Sequence, residues 1–155
     1  MFMLKKEVII VIKINNLTKS FDDKIVLENI NLTIPKGSIF GIIGINGAGK
    51  STLMRLMTTV YKPDSGEILV EGENVYQSTS IKKKFFFLPD EPYYNLNASV
   101  KSLTQLYKSF YKDFDEQIFS YYMDKFSLNK DKKIINYSKG MKRRFFICVA
   151  LACKV

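Results

Sequence analysis

Apolar and polar residues alternate in the first third of the chain and then change period. Ile12-Lys13-Ile14-Asn15-Asn16-Leu17 alternates in part, and the stretch from Ile25 to Ile34 alternates over a longer span. A period of two sends apolar side chains to one face, so both stretches predict half-buried antiparallel strands. Pro35-Lys36-Gly37 is a turn signal. Ser38-Ile39-Phe40-Gly41-Ile42-Ile43 is nearly continuously apolar, which predicts a central strand buried on both faces. A glycine-rich stretch follows, and Ser51 to Met57 then shows helical apolar spacing. Pro63-Asp64-Ser65-Gly66 predicts a turn, Glu67 to Gly72 a strand, and Lys84-Phe85-Phe86-Phe87-Leu88 a further strand buried on both faces. From Ser99 to Phe126 the residues are Leu, Tyr, Phe, Lys and Asp at helical spacing, which predicts a separate helical layer. Ser138 to Lys154 predicts a last helix whose second half is almost wholly apolar. There is no internal repeat and no low-complexity linker. Strands around a buried strand–loop–helix step, then helices, predict an α/β domain.

The step itself carries chemistry. Gly44-Ile45-Asn46-Gly47-Ala48-Gly49-Lys50-Ser51-Thr52 satisfies G-x-x-x-x-G-K-[ST], with a predicted strand before it and a predicted helix after it. Glycines allow a turn in which successive N–H groups point into one concavity, a nest for an anion. The helix beginning near Lys50 aims the positive end of its dipole at the same point. Lys50 then offers a cation to the β- and γ-phosphates, and Ser51 a hydroxyl ligand for Mg²⁺, a hard ion that prefers oxygen. The motif predicts binding of a nucleoside triphosphate with Mg²⁺.

Composition narrows the class. With 46% hydrophobic and 25% charged residues in 155, the chain falls in the ordinary globular range and is one domain's worth. No apolar run approaches the roughly 18 residues of a membrane-spanning helix, so any membrane role is expected through a partner. Met1 to Lys6 looks a little like a secretion signal, but the apolar stretch between Glu7 and Lys13 is short and no small-residue cleavage site follows. Cys148 and Cys153 lie in one apolar helical stretch and read as reduced core thiols, which predicts a cytosolic setting. The chain has no histidine, which excludes every triad, zinc site or proton relay that relies on histidine. The net charge of +9 is spread over separate clusters and reads as a solvated basic surface, with no nucleic-acid partner expected.

At these residues the sequence resembles the ATP-binding subunits of ABC transporters, over nearly the whole chain from Val11. Leu17-Thr18-Lys19-Ser20-Phe21 and Lys24 to Ile30 resemble the family's opening, where an aromatic at the position of Phe21 stacks on adenine. By itself Phe21 reads as a turn-anchoring core residue. With the phosphate loop downstream the stacking role takes over, and Val26 joins it in the implied cofactor site. Gly-x-Asn-Gly-Ala-Gly-Lys-Ser-Thr is similar to the family's Walker A loop. Phe87-Leu88-Pro89-Asp90-Glu91-Pro92 resembles a Walker B strand at first sight. Pro89, however, interrupts the run where a central strand needs its N–H, and the helical layer follows rather than precedes it. The segment fits the family's Q-loop, with Asp90 in place of the usual glutamine as the implied Mg²⁺ ligand. Tyr137-Ser138-Lys139-Gly140-Met141-Lys142-Arg143-Arg144 resembles the signature motif in a variant form seen in antibiotic- and multidrug-export systems. Lys139 and Met141 replace the usual Gly and Gln, and Ser138 is placed to cap a helix. Ser138 and Gly140 are implied contacts for nucleotide held by a second subunit.

The resemblance implies a P-loop NTPase core with an N-terminal antiparallel β subdomain and a helical subdomain. It implies a domain that is C-terminally incomplete, since the Walker B aspartate, the general-base glutamate and the switch histidine would follow Val155. The expected division is an N-terminal extension at 1–10, a β and phosphate-loop part at 11–92, a helical subdomain at 93–140 and a return helix at 138–155. The implied cofactors are ATP and Mg²⁺, held by Phe21, Val26, residues 44–52, Asp90, Ser138 and Gly140, with Ser51 and Asp90 on the metal and no catalytic residue assigned. The implied partners are a membrane-spanning transporter subunit and a second ATP-binding subunit, at the inner face of the cell membrane. Two alternatives stay open: a non-catalytic remnant, and an ABC-type protein acting on nucleic acid or the ribosome.

Overall fold

The computed structural model describes residues 10–90, 92–95 and 97–154. Apart from Ile10, the extension read at 1–10 lies outside them, as does Glu91 of the Q-loop-like segment. The chain forms two compact units, one running to Lys82 and the other starting at Lys83. That division falls upstream of the 92/93 step read from the sequence.

The first unit is built on an antiparallel sheet. Strands β1 (Ile10–Phe21) and β2 (Lys24–Pro35) form a hairpin, and β3 (Ser65–Val70) and β4 (Glu73–Asn74) extend it in the order β2-β1-β3-β4. Helix α1 (Lys50–Met57) and the short α2 (Thr79–Lys82) complete the unit. Alternation alone does not carry β1 through: Ile14 and Leu17 are both buried, three residues apart. The pairing shifts register between them, and Asn16 there has φ 47°. Such a bulge inserts one residue and returns Leu17 to the core face, and asparagine tolerates the left-handed backbone it needs. Leu27 and Ile34 from β2, Leu53 and Leu56 from α1, and Ile68 and Val70 from β3 are buried too. Tyr76 locks the end of α1, its hydroxyl donating to the carbonyls of Leu56 at 2.6 Å and Tyr61 at 2.7 Å. Burial pushes that phenol up to about 12, so it stays a proton donor throughout the neutral range.

The second unit is helical. It contains α3 (Val100–Phe110), α4 (Glu116–Lys125), a 3₁₀ turn at Ile134–Asn136 and α5 (Lys139–Ala152). Sequence-local caps set the helix starts. The Ser99 side chain accepts from Ser102 N–H in a capping box, and Asp115 accepts from the N–H groups of Gln117 and Ile118. The core gathers Leu103, Phe119, Met123, Ile134 and Tyr137 around Phe145, Phe146, Cys148 and Val149 of α5. Of these, Met123, Ile134, Phe145, Phe146 and Val149 are fully buried, and each contributes about 1.5–3 kcal/mol. Cys148 and Cys153 are buried free thiols, both pushed up by burial to about 11. They are therefore neutral and unreactive near pH 7.

Two predicted strands are corrected. Ser38 to Ile43 forms no strand: no residue of the sheet pairs with it, and Ile39 and Ile43 are 104% and 99% exposed. A strand buried on both faces needs a neighbour for its N–H and C=O groups and a layer on each side. Among the described residues neither is supplied. Lys84 to Leu88 is likewise irregular. Its apolar side chains serve the helices instead: Phe86 and Leu88 pack against the helical core, and the Tyr111 hydroxyl donates to the Phe85 carbonyl at 2.9 Å. An apolar run reports burial but not its partner.

Candidate nucleotide site

In the first unit the glycine-rich segment closes into a loop held by its own lysine. The Lys50 ammonium donates to the carbonyls of Gly44 at 2.6 Å and Ile45 at 2.7 Å, so the side chain folds back across the loop rather than into bulk solvent. Ala48 N–H closes a turn onto the Ile45 carbonyl at 3.2 Å, and Leu53 N–H makes a helical bond to Gly49 at 2.9 Å. Gly47 and Gly49 lie at φ 84° and 83°, a backbone that only glycine adopts without strain. At Gly49 glycine is required twice. A Cβ there would sit 2.8 Å from Leu27 Cδ2 and 3.0 Å from the Val26 carbonyl oxygen. The close approach seats the loop and the start of α1 on β2.

Helix α1 begins at Lys50 with Gly49 as its N-cap and no side-chain cap bond. Its first-turn amides thus point outward beside a cation, an arrangement suited to an anion. Ser51 is exposed on that first turn and Thr52 is half-buried. Asn46, Gly47 and Ala48 are exposed, and Val26 is half-buried under Gly49. Phe21, at the end of β1 in the same unit, is 38% exposed. Its ring meets Tyr61 edge-on, with centroids 5.3 Å apart and planes at 71°, and Lys19 Nζ lies 5.3 Å from its centroid. The residues present fit a triphosphate with its base. A bent loop of donors, an inward cation, an exposed hydroxyl and a partly open aromatic ring occupy one compact unit.

The remaining site candidates lie in the second unit. The Asp90 carboxylate faces Arg143, whose guanidinium donates to it at 3.3 Å. Ser138 caps α5, its hydroxyl accepting from Met141 N–H at 3.2 Å, and only that hydroxyl, at 4.0 Å, stands near the space a Cβ on Gly140 would fill. Ser138 and Gly140 are both exposed at the helix start. A cavity of about 880 Å³ opens beside it, lined by Asp90, Tyr93, Tyr94, Lys139, Lys142 and Arg143 among others. Sequence reasoning named neither Tyr93 nor Tyr94, nor Tyr61 beside Phe21. Among the described residues no group of three or more His, Cys, Asp or Glu side chains could hold a metal ion, and no helix is long and apolar enough to cross a membrane.

Comparison with known proteins assigns the family. The family described as "ABC transporter" matches residues 27–155. The ABC transporter ATP-binding protein YtrB of Bacillus subtilis is 31% identical over 144 residues, covering 92% of this chain and 49% of that protein. The lantibiotic transport ATP-binding protein SrtF of Streptococcus pyogenes is 34% identical over 145 residues, covering 90% of this chain and 61% of that protein. The chain thus spans roughly half to three-fifths of the length of these relatives. An ABC transporter ATP-binding protein from Pyrococcus furiosus superposes with a TM-score of 0.78 at 32% identity, covering 91% of this chain and 70% of that one. CbiO1 of Clostridium perfringens superposes with a TM-score of 0.73 at 25% identity, covering 94% of this chain and 62% of that one. With the fold and these likenesses in agreement, the chain belongs to the ABC transporter family of ATP-binding proteins.

Proposed function

We propose that the chain acts as the ATP-binding subunit, or a part of it, that couples ATP binding and hydrolysis to the work of a separate membrane-spanning partner. One observation carries the reading: the 44–51 loop is folded around Lys50 beside a helix start without a side-chain cap. On this reading the triphosphate lies on the loop amides, with Lys50 keeping its bonds to the carbonyls of Gly44 and Ile45 and turning its third N–H toward the β- and γ-phosphates. The base lies against Phe21 and Val26. Mg²⁺, when bound, neutralises phosphate charge, and the Ser51 hydroxyl is its ligand from the loop. In a pair of such subunits, Ser138 and Gly140 at the start of α5 meet the phosphates held by the other subunit, by the same helix-terminus logic.

The names of relatives support the setting. SrtF is a lantibiotic transport protein, which accords with a transport role. CbiO1 is part of the complex cbiONQ, which accords with a subunit that works in an assembly at the inner face of the membrane. Calorimetric titration of MgATP into the 155-residue chain, shown folded by circular dichroism, tests the proposal. Saturable heat is expected. A folded chain that takes up no MgATP would refute it.

A further inference from the structure

The end of β1 is held by a residue that no motif names. The pairing of β1 with β3 ends at Thr18 opposite Ser65. One residue before β3, Asp64 continues the connection by other means. Its backbone N–H donates to the Thr18 carbonyl at 3.0 Å. Its carboxylate accepts from Ser20 N–H at 2.6 Å and from the Lys19 ammonium at 2.7 Å. The pairing of β1 with β2 is irregular here, with register shifts on both sides of Lys19, so the carboxylate supplies order where the ladder does not. Phe21 is the next residue. Its ring is touched by Tyr61, three residues before Asp64, and Tyr61 is itself flanked by the Arg55 guanidinium at 5.8 Å. One short segment, 61–64, therefore both ties the backbone below Phe21 and buttresses its ring.

We infer that Asp64 is a positioning residue for the base contact: it fixes the Lys19–Ser20 backbone so that Phe21 is presented, against Tyr61, as a stacking surface. The inference rests on the nucleotide-binding reading above and deepens it. A stacked ring contributes affinity only when its plane is held before the ligand arrives, since the ordering is otherwise charged to binding. The hydrogen bonds from Lys19 and then from Ser20 N–H hold the Asp64 carboxyl below its ordinary value of 3.8. The tie is thus charged at neutral pH, and its contribution is lost only as the pH falls through that lowered value.

The test compares MgATP with magnesium tripolyphosphate, which lacks the base, by calorimetry on the full 155-residue chain. Phe21→Ala is expected to weaken MgATP about tenfold, the size of one stacked-base contact, and to leave tripolyphosphate unchanged. Asp64→Ala is expected to do the same, and Phe21→Ala with Asp64→Ala to be no worse than Phe21→Ala alone. Asp64→Asn, which keeps an acceptor for Ser20 N–H, is expected to restore most of the preference for ATP. Where alanine lowers the yield of folded chain, Asp64→Ser gives the same readout, because its short hydroxyl cannot span both donors. Equal weakening of both ligands by Asp64→Ala, or losses that add with those of Phe21→Ala, would overturn the inference. Wild-type chain that binds neither ligand would instead overturn the nucleotide-binding reading itself.

Discussion

Lys50→Ala is expected to weaken MgATP binding about a hundredfold, roughly 3 kcal/mol. Two losses combine. The phosphates lose a cation in charge-assisted contact, which is worth about twice a neutral hydrogen bond. The loop also loses its internal brace, since the carbonyls of Gly44 and Ile45 share that ammonium at 2.6 and 2.7 Å. Lys50→Arg is expected to restore little, because a planar guanidinium does not replace a compact ammonium between two converging carbonyls. The helical unit does not depend on this side chain, so far-ultraviolet circular dichroism of Lys50→Ala should match the parent. Titration of both variants decides the matter, and unchanged affinity would place the phosphate elsewhere.

The largest expected effect on stability falls at Gly66. It lies in β3 at φ 81°, and a Cβ there would stand 2.4 Å from the Asn16 carbonyl oxygen and 2.5 Å from that of Asn15. Those are backbone atoms of the β1 bulge, so relief requires the strand pair to part. Gly66→Ala is expected to cost about 3 kcal/mol or more and to lower the melting midpoint by on the order of 10 °C. Gly72 provides the control. Its φ of 84° is nearly the same, but nothing lies within 4 Å of its added Cβ. Gly72→Ala should therefore show only the backbone strain, about 1–2 kcal/mol. Equal melting midpoints for the two variants would mean that the close approach of β3 to the bulge carries no weight.

The contrast shows what the sequence made legible. The hairpin of β1 and β2, the helix after the loop and the long apolar α5 follow from period and punctuation, which are local properties. The glycine-rich loop is legible for a stronger reason: its spacing encodes a backbone shape, and Gly49 meets Val26 and Leu27 as that shape requires. Ser138 likewise caps α5 where a serine before a helical run is expected to. The strands read at Ser38–Ile43 and Lys84–Leu88 failed because an apolar run states a demand for burial without naming the neighbour. Phe86 meets that demand against the ring of Tyr107, 5.6 Å away, whereas Ile39 and Ile43 stay exposed. Asp64 and Tyr61 were illegible for the opposite reason. Asp64 reads as an ordinary turn residue, and its partners Lys19 and Ser20 lie 45 and 44 positions away.

If the chain holds MgATP as proposed, amides around the 44–51 loop receive the triphosphate. Amide chemical shifts of the ¹⁵N-labelled chain on addition of MgATP test it most directly. The N–H signals of Gly47, Gly49, Lys50 and Ser51 are expected to move first and furthest, with those of α4 staying in place. Saturating MgATP that left these four signals unmoved would contradict it.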